Sequence, residues 1–452
     1  MLDFTLTPAQ QTLQQQARDF ALAEILPATW FYEDNDATPR FVLESAFAKG
    51  FMSHDIPQRF GGRGLGVVDS VLISEEMAAA CAGLATSIFD NSLGLVPLLL
   101  SSNTELQEEL LPQLATEFKL ISFATSEPLA GSDVAGMRCR AREEGDEFIL
   151  NGTKFWMTNG GIADYLTVFA TVDAKLGHKG ICAFLLDRRW EGITTSPQLP
   201  KLGQCASNTV GVKLQNVRVP RSHLLAPPGE GFALAMRTFA RTRPVISAIG
   251  LGIARSAMEF ALDYARRRQA FGKPLADLQA IQFKLADMLQ QVETARLLIW
   301  KSAWEADQGF DPNISAAIAK VYSSEAATRV VNEALQIFGG YGYTRMFPLE
   351  KLLRDVRLLT IYEGTSEIQR VVLGTHALKN HRPVMPPLDE LPILRGLDLG
   401  DEEQRGTSAW RCRQCGHVHY GPQPPQECPF CFFPQGAFRC IWPPDERPSQ
   451  TE

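Results

Sequence analysis

Two stretches of the chain hold side chains whose types and spacing can do chemistry. The first is Leu359–Arg370, LTIYEGTSEIQR, where one carboxylate, Glu363, stands between Tyr362 and Gly364. Ser366 and Gln369 have the S-x-x-Q spacing of a capping box, which predicts a helix from Ser366 through Ile368, Val371 and Val372. Glu363 then falls in the loop ahead of that helix, where a carboxylate can act as a general base; an idle, exposed loop glutamate has the same local signature. The second stretch is WRCRQCGHVHYGPQPPQECPFC, residues 410–431. Cys412 and Cys415 form one C-x2-C pair and Cys428 and Cys431 another, with twelve residues between the pairs. Two such thiolate knuckles close a tetrahedral four-sulfur site that suits iron or zinc. Gly416 and Pro429 fit the tight turns this needs. Four sulfurs suffice, so His417 and His419 read as surface residues, and Cys440 is left without a role.

The elements that must position these groups are legible as changes of hydrophobic period. Residues 1–119 read as helical, with Leu13, Ala17, Phe20 and Ala21 on one face and Val71, Ile73, Met77 and Cys81 marking a second segment. The glycine-rich Phe60–Gly66 between them does not match G-x-G-x-x-G, and no strand precedes it, so it does not support a dinucleotide fold. Near residue 120 the period becomes two. Met137, Cys139 and Ala141 alternate with Arg138, Arg140 and Arg142, a turn follows at Glu143–Asp146, and Asn151-Gly152 predicts a hairpin. Strands continue at 155–158, 165–172, 180–187 and 210–219, so residues 120–228 predict an antiparallel β domain. From Gly231 to about residue 380 the helical period returns. Leu251, Ala254, Met258, Leu262 and Ala265 make one stripe; Leu278, Ile281, Leu285, Met288, Val292 and Ala295 make a second. Asp311-Pro312 opens a third helix that Gly339-Gly340 ends, and a fourth starts at Pro348. This predicts an antiparallel four-helix bundle over 229–380. Pro383, Pro386, Pro387 and Pro392 mark 381–408 as a linker, and 409–446 is the cysteine-bearing module. The fold class is therefore α+β.

Composition narrows the function. A chain of 452 residues is long enough for about three domains, and 45% hydrophobic with 21% charged residues is ordinary for a globular protein. A net charge of −7 argues against nucleic acid and against an anionic membrane surface. No secretory leader is visible in MLDFTLTPAQ and no insertion into a membrane is expected, so the reading is cytoplasmic. Scattered single cysteines at 81, 139, 182 and 205 agree with a reducing compartment.

With these motifs in hand, residues 1–378 resemble the acyl-CoA dehydrogenase family, medium-chain members most of all. The resemblance rests on Ser122–Ala135 (SFATSEPLAGSDVA), Asn151–Gly161 (NGTKFWMTNGG), Arg268–Met288, Gln336–Gly342 (QIFGGYG) and Ile361–Arg370. The tail, through W-x-C-x-x-C-G-x-x-H-x-G and C-P-x-C, resembles a rubredoxin-like domain of the rubrerythrin type. What the resemblance implies is specific. Glu363 is the catalytic base that removes the α proton of an acyl thioester while a β hydride passes to FAD. Phe123, Thr125, Ser126, Trp156 and Thr158 hold that FAD from the β domain. Arg268, Phe271, Gln279, Gln336, Gly339 and Gly340 reach a neighbouring subunit's FAD, which implies a homotetramer or dimer. Thr365 and Glu367 complete the cofactor set beside the base, and Ser132, Arg243 and Gly364 match substrate contacts. Without the resemblance, Trp156 reads as core and Arg268 as surface.

The chain departs from the family pattern at four places. Ala240 replaces an acidic residue that touches CoA in medium-chain relatives, which leaves an acyl carrier protein as a carrier alternative to CoA. Ala270, Phe123 and Leu278 replace polar residues beside FAD. The expected activity is α,β-dehydrogenation of a short or medium acyl thioester. Electrons leave through an iron-loaded rubredoxin-like domain or an electron-transferring flavoprotein. The alternatives are an acyl-thioester oxidase that uses oxygen, and a non-catalytic flavoprotein scaffold with a structural zinc knuckle.

Overall fold

The computed structural model describes residues 4–380, 384 and 408–442; the rest of the expected linker and the last residues of the cysteine module lie outside them. The chain divides into two compact units, Met1–His376 and Ala377–Glu452.

The first unit opens with α1 (Pro8–Phe20), α2 (Leu26–Asp34), α3 (Arg40–Ala48), α4 (Val67–Ala80), α5 (Ala82–Leu100) and α6 (Thr104–Thr116). Thr7 and Gln10 form a reciprocal capping box on α1, and its stripe Leu13, Ala17 and Phe20 is buried as the period requires. The sheet strands follow: β1 (Ile121–Ala124), β2 (Arg140–Glu144), β3 (Glu147–Thr158), β4 (Tyr165–Thr171), β5 (Ile181–Asp187), β6 (Ile193–Thr195), β7 (Thr209–Pro220) and β8 (Leu224–Ala226). Their order is β6-β7-β3-β2-β4-β5-β8, with β1 on β4. The helices return as α7 (Gly231–Arg267), which ends in a two-strand ribbon of β9 (Gln269–Ala270) and β10 (Lys273–Pro274). After it come α8 (Gln279–Asp307), α9 (Asn313–Phe338), α10 (Leu349–Val356) and α11 (Ser366–Lys379).

Three expectations need correction. The sheet is mixed rather than purely antiparallel, because β1 runs parallel to β4 from Ile121↔Tyr165 to Ala124↔Val168, and β2 touches β4 in parallel at Arg140↔Thr171. Asn151-Gly152 is no hairpin; it lies inside β3, where the register against β7 shifts between Leu150 and Gly152. A side chain at Gly152 would drive its Cβ to 2.7 Å from Cys139 Cα, so the glycine answers a close strand approach and a bulge, not a turn. The turn that does form is Gly145-Asp146, between paired Glu144 and Glu147. Finally, the fourth helix of the bundle is split: α10 spans only 8 residues, breaks into a 3-10 turn at Arg357–Thr360, and the chain resumes as the 14-residue α11.

Buried charges fix the helices relative to one another. Glu75 and Glu76 of α4 sit under Arg255 of α7 at 3.0 and 2.7 Å, with Arg296 of α8 2.9 Å from Glu75 and Arg18 of α1 2.8 Å from Glu76. Lys351 of α10 pairs with Asp355 at 2.5 Å, and Asp355 accepts the Gln204 backbone N–H. The helices Ala82–Leu100 and Gly231–Arg267 are long and apolar enough to cross a membrane, but 83% and 78% of their most apolar windows are buried inside the protein. They are core helices. In the second unit, β11 (Ala409–Cys412) lies between β12 (Val418–Tyr420) and β13 (Phe438–Trp442), all antiparallel.

Candidate active site and metal centre

Glu363 sits between the Arg357–Thr360 turn and α11, in the left-handed region at φ 55, followed by Gly364 at φ 86. Two consecutive left-handed residues turn the chain sharply, and a non-glycine residue is strained there. The loop is held from several sides. Lys320 of α9, itself buried, donates from Nζ to the Gly364 carbonyl at 2.6 Å. Gln369 Nε2 donates to the carbonyls of Glu363 and Gly364 at 3.3 and 3.1 Å. The helix cap is Thr365, whose Oγ accepts from the Ile368 N–H at 3.2 Å. This corrects the expected Ser366 cap by one residue: Ser366 Oγ is buried without a partner, and Gln369 is spent on the loop instead.

The Glu363 carboxylate accepts from Thr242 Oγ1 of α7 at 3.3 Å through Oε2, while Oε1 is shielded from solvent and has no partner. Burial pushes its acid constant up to about 7, and the charges of Arg243 and Lys320 and the Thr242 hydroxyl hold it from going further. Lys320 is pushed down to about 8 by the same burial. Arg243 is buried, donates to Asn313 Oδ1 at 3.3 Å and keeps its Nε unpartnered. Glu363, Gly364, Arg243 and Thr365 are thus brought together. Thr242 and Lys320 were not singled out from sequence, although a lysine among Ala316, Ala317 and Ala319 on a buried helix stripe was a readable anomaly.

Beside this carboxylate, α4, α5 and α7 enclose a cavity lined by Met77, Ile88, Phe89, Ser92, Thr242 and Val245 among others, with about 20 Å³ open to the centre of a water molecule. It has room for about one water.

The residues expected at a flavin fall into two groups. In the sheet, Lys154 Nζ is buried and bonds Glu127 at 2.7 Å and the Thr125 carbonyl at 3.0 Å, while Glu127 also accepts the N–H groups of Arg138 and Cys139. The Phe155 N–H bonds the Ser126 carbonyl at 2.9 Å, and Ser122 Oγ bonds the Thr158 carbonyl at 2.5 Å. These bonds tie the segment after β1 to the end of β3 and bring Thr125, Ser126, Trp156 and Thr158 together, with Trp156 at φ 61 and 62% exposed. Phe123 is different: its ring is buried 5.2 and 5.4 Å from those of Phe169 and Phe239, so only its backbone is available to a ligand. The second group is exposed at the ends of α7, α8 and α9. Phe271 is 92% exposed at φ 54, the Arg268 guanidinium lies 5.7 Å from the Tyr341 ring, and Gln279, Gln336, Gly339 and Gly340 share this surface character. Ser132 lies exposed in the loop after β1, and Glu367 is exposed in the first turn of α11, where its own backbone N–H and the Thr365 side chain hold its acid constant low. In the first group an exposed, strained tryptophan beside hydroxyl side chains fits a flat ring system, and in the second an exposed guanidinium fits a phosphate arm.

In the second unit, the Sγ atoms of Cys412, Cys415, Cys428 and Cys431 all lie within 4.8 Å of one another, with Cys412–Cys431 at 3.6 Å and Cys415–Cys428 at 3.5 Å. For a metal–sulfur bond of about 2.3 Å, a tetrahedron has edges of about 3.8 Å, so the four sulfurs fit one ion. The knuckles close where the Gly416 N–H bonds Cys412 O and the Phe432 N–H bonds Cys428 O, each at 2.9 Å, with both turn residues left-handed. Cys440 is outside this group and pairs with Trp410 across β11 and β13.

Comparison with known proteins agrees with this geometry. The N-terminal, middle and C-terminal domain models of acyl-CoA dehydrogenase match residues 7–117, 122–217 and 229–378, and the rubredoxin-like domain model of rubrerythrin matches 410–439. A probable acyl-CoA dehydrogenase, FadE25, of Mycobacterium tuberculosis is 38% identical over 83% of this chain and 97% of its own length. The short-chain specific acyl-CoA dehydrogenase of Bos taurus mitochondria is 40% identical over 83% of this chain and 92% of its own. The structure of butyryl-CoA dehydrogenase from Megasphaera elsdenii superposes with a TM-score of 0.82 at 36% identity, covering 84% of this chain and all of that one. The chain belongs to the acyl-CoA dehydrogenase family of FAD-dependent oxidoreductases, and it carries a rubredoxin-like domain C-terminal in sequence to its dehydrogenase domains.

Proposed function

We propose that the protein dehydrogenates a short acyl thioester at its α and β carbons, with Glu363 as the base for the α proton. The observation that carries this reading is the free Oε1 of Glu363, shielded from water in a carboxyl group raised to about 7. An acyl α proton is a weak acid, and a desolvated carboxylate is a stronger base towards it than a hydrated one. Thr242 orients the carboxylate through Oε2, and Lys320 and Gln369 hold the loop so that Oε1 stays free. Phe89, Met77 and Ile88 in the adjoining cavity support a short chain, because they leave little volume beyond the reacting carbons. When bound, FAD supplies the hydride acceptor; Thr125, Ser126, Trp156 and Thr158 would hold it from the sheet, and Arg268, Phe271, Gln279, Gln336, Gly339 and Gly340 from a neighbouring subunit. Ser132, Arg243 and Gly364 would meet the thioester, and Thr365 and Glu367 the cofactor next to the base.

CoA is the first choice of carrier. Ala240, buried at 6% exposure where an acid is expected, favours an acyl carrier protein as the second. Iron held by four thiolates supplies one-electron transfer, which supports the rubredoxin-like domain as an electron outlet, with an electron-transferring flavoprotein as the other.

Anaerobic bleaching of the flavin by butyryl-CoA tests the reading. Glu363→Gln is expected to slow it by about 10³-fold, the general-base range. Unchanged bleaching in that variant would remove Glu363 as the base. Metal analysis of protein as isolated separates iron from zinc: zinc with no ferric-thiolate colour ends the electron-outlet role. Rapid peroxide formation in air would favour the oxidase.

A further inference from the structure

The helix that forms one wall of the acyl cavity carries a carboxyl group that the dehydrogenation chemistry does not use. Asp90 of α5 is 4% exposed, one residue from Phe89, which lines the cavity. Its Oδ2 is cut off from solvent and has no hydrogen-bond partner. Asp55, which lines the cavity, is likewise buried, and its Oδ1 has no partner either. Burial pushes the Asp90 acid constant well above the ordinary carboxylate range, and repulsion from Glu363 adds to it, which places Asp90 near the base. Of the two cations that act on Glu363, Lys320 donates to the Gly364 carbonyl and Arg243 to Asn313 Oδ1.

A buried carboxyl with an orphan oxygen destabilises the fold, and more so when ionised. A purely aliphatic acyl chain leaves that cost standing, and a substrate carboxylate raises it. A protonated amine removes it, since it donates to Asp90 and offsets the crowding of two carboxylates. We propose that Asp90 is a specificity-determining residue that receives an amine nitrogen on the acyl group, so that the substrate class is a short aminoacyl thioester. This rests on the dehydrogenase reading of the same site.

The test uses the full-length holoenzyme and pantetheine thioesters, whose arm is common to CoA and acyl carrier protein. Three isosteric pairs place nitrogen at different carbons: alanyl against isobutyryl, β-alanyl against butyryl, and prolyl against cyclopentanecarbonyl. Anaerobic titration calorimetry gives the affinity ratio within each pair. At least one amine member is expected to bind tenfold or more tightly than its carbon isostere, and Asp90→Asn to reduce that ratio to within threefold of one. The ratio is indifferent to partial loss of folded enzyme, because both members read the same sites. A ratio near one in all three pairs overturns the proposal, as does a preference that survives in Asp90→Asn. So does a 3-hydroxypropionyl thioester that binds as well as the β-alanyl one, which would mean a neutral hydrogen bond. Flavin bleaching by the butyryl thioester is followed alongside: its absence ends the dehydrogenase reading, whereas bleaching without amine preference ends only this one.

Discussion

At the residue scale, Glu363 shows how one environment sets both reactivity and stability. A base raised to about 7 is mostly protonated at pH 6 and free at pH 8. The second-order rate of flavin bleaching is therefore expected to rise with pH by close to tenfold per unit below 7, and to level off above 8. Stability runs the other way. The folded carboxyl binds its proton more tightly than the unfolded one, so the fold is favoured below the unfolded value and loses that contribution as pH climbs from about 4.5 to about 7. Over this window the loss is about 3 kcal/mol. Glu363→Gln, which carries no charge, is expected to be more stable than the native protein at pH 8 by about that amount and equal to it near pH 4, as read by urea denaturation of FAD-loaded protein. The same residue scale shows why Asp90 and Lys320 escape a pattern-based reading. Each is a charged residue inside a hydrophobic stripe, and only its packed neighbours reveal whether it is paired, orphaned or aimed at a loop.

At the element scale, the site depends on two clamps. Lys154 ties β3 to the segment after β1 through Glu127 and the Thr125 carbonyl, with both side chains buried. Lys154→Met leaves Glu127 charged and buried, so it is expected to cost about 3–5 kcal/mol in denaturant unfolding and to lower bound FAD per chain. The second clamp is Lys320 on the Gly364 carbonyl. Lys320→Met removes a positive charge from beside Glu363, so the inflection of the bleaching–pH profile is expected to move upwards and the plateau rate to fall about tenfold. A role confined to packing would leave the inflection in place. Element boundaries followed the hydrophobic period closely for α1 and α9, because each buries one stripe and is bounded by a capping residue, a proline or a glycine. Asn151-Gly152 misled because a glycine demanded by a β-bulge carries the same letters as a hairpin turn, and only the approach of Cys139 distinguishes them.

At the scale of the whole molecule, large apolar side chains stand exposed along α8 and at its approach: Phe271 at 92%, Phe283 at 61%, Leu289 at 52% and Trp304 at 51%. We propose this surface as a subunit contact, because exposed apolar patches of this kind are commonly covered by a partner. Light scattering on the eluting protein is expected to give two or four times the chain mass of 50.0 kDa, and Arg268→Ala to lower FAD occupancy without unfolding the chain. A monomer with full FAD would contradict both. What the amino-acid sequence determined by itself is the order of helical, sheet and helical regions, the metal-binding tail and the loop glutamate proposed here as the base. Each of these is carried by local spacing: a hydrophobic period, a pair of C-x2-C knuckles, or a short motif around one glutamate. Only the tertiary structure decided that Glu363 is shielded rather than idle in solvent, that Thr365 caps α11, that Phe123 faces the core, and that Asp90 is left without a partner. Those facts depend on which distant segments pack against a side chain. Burial and pairing come from neighbours far along the chain, and no local pattern encodes them.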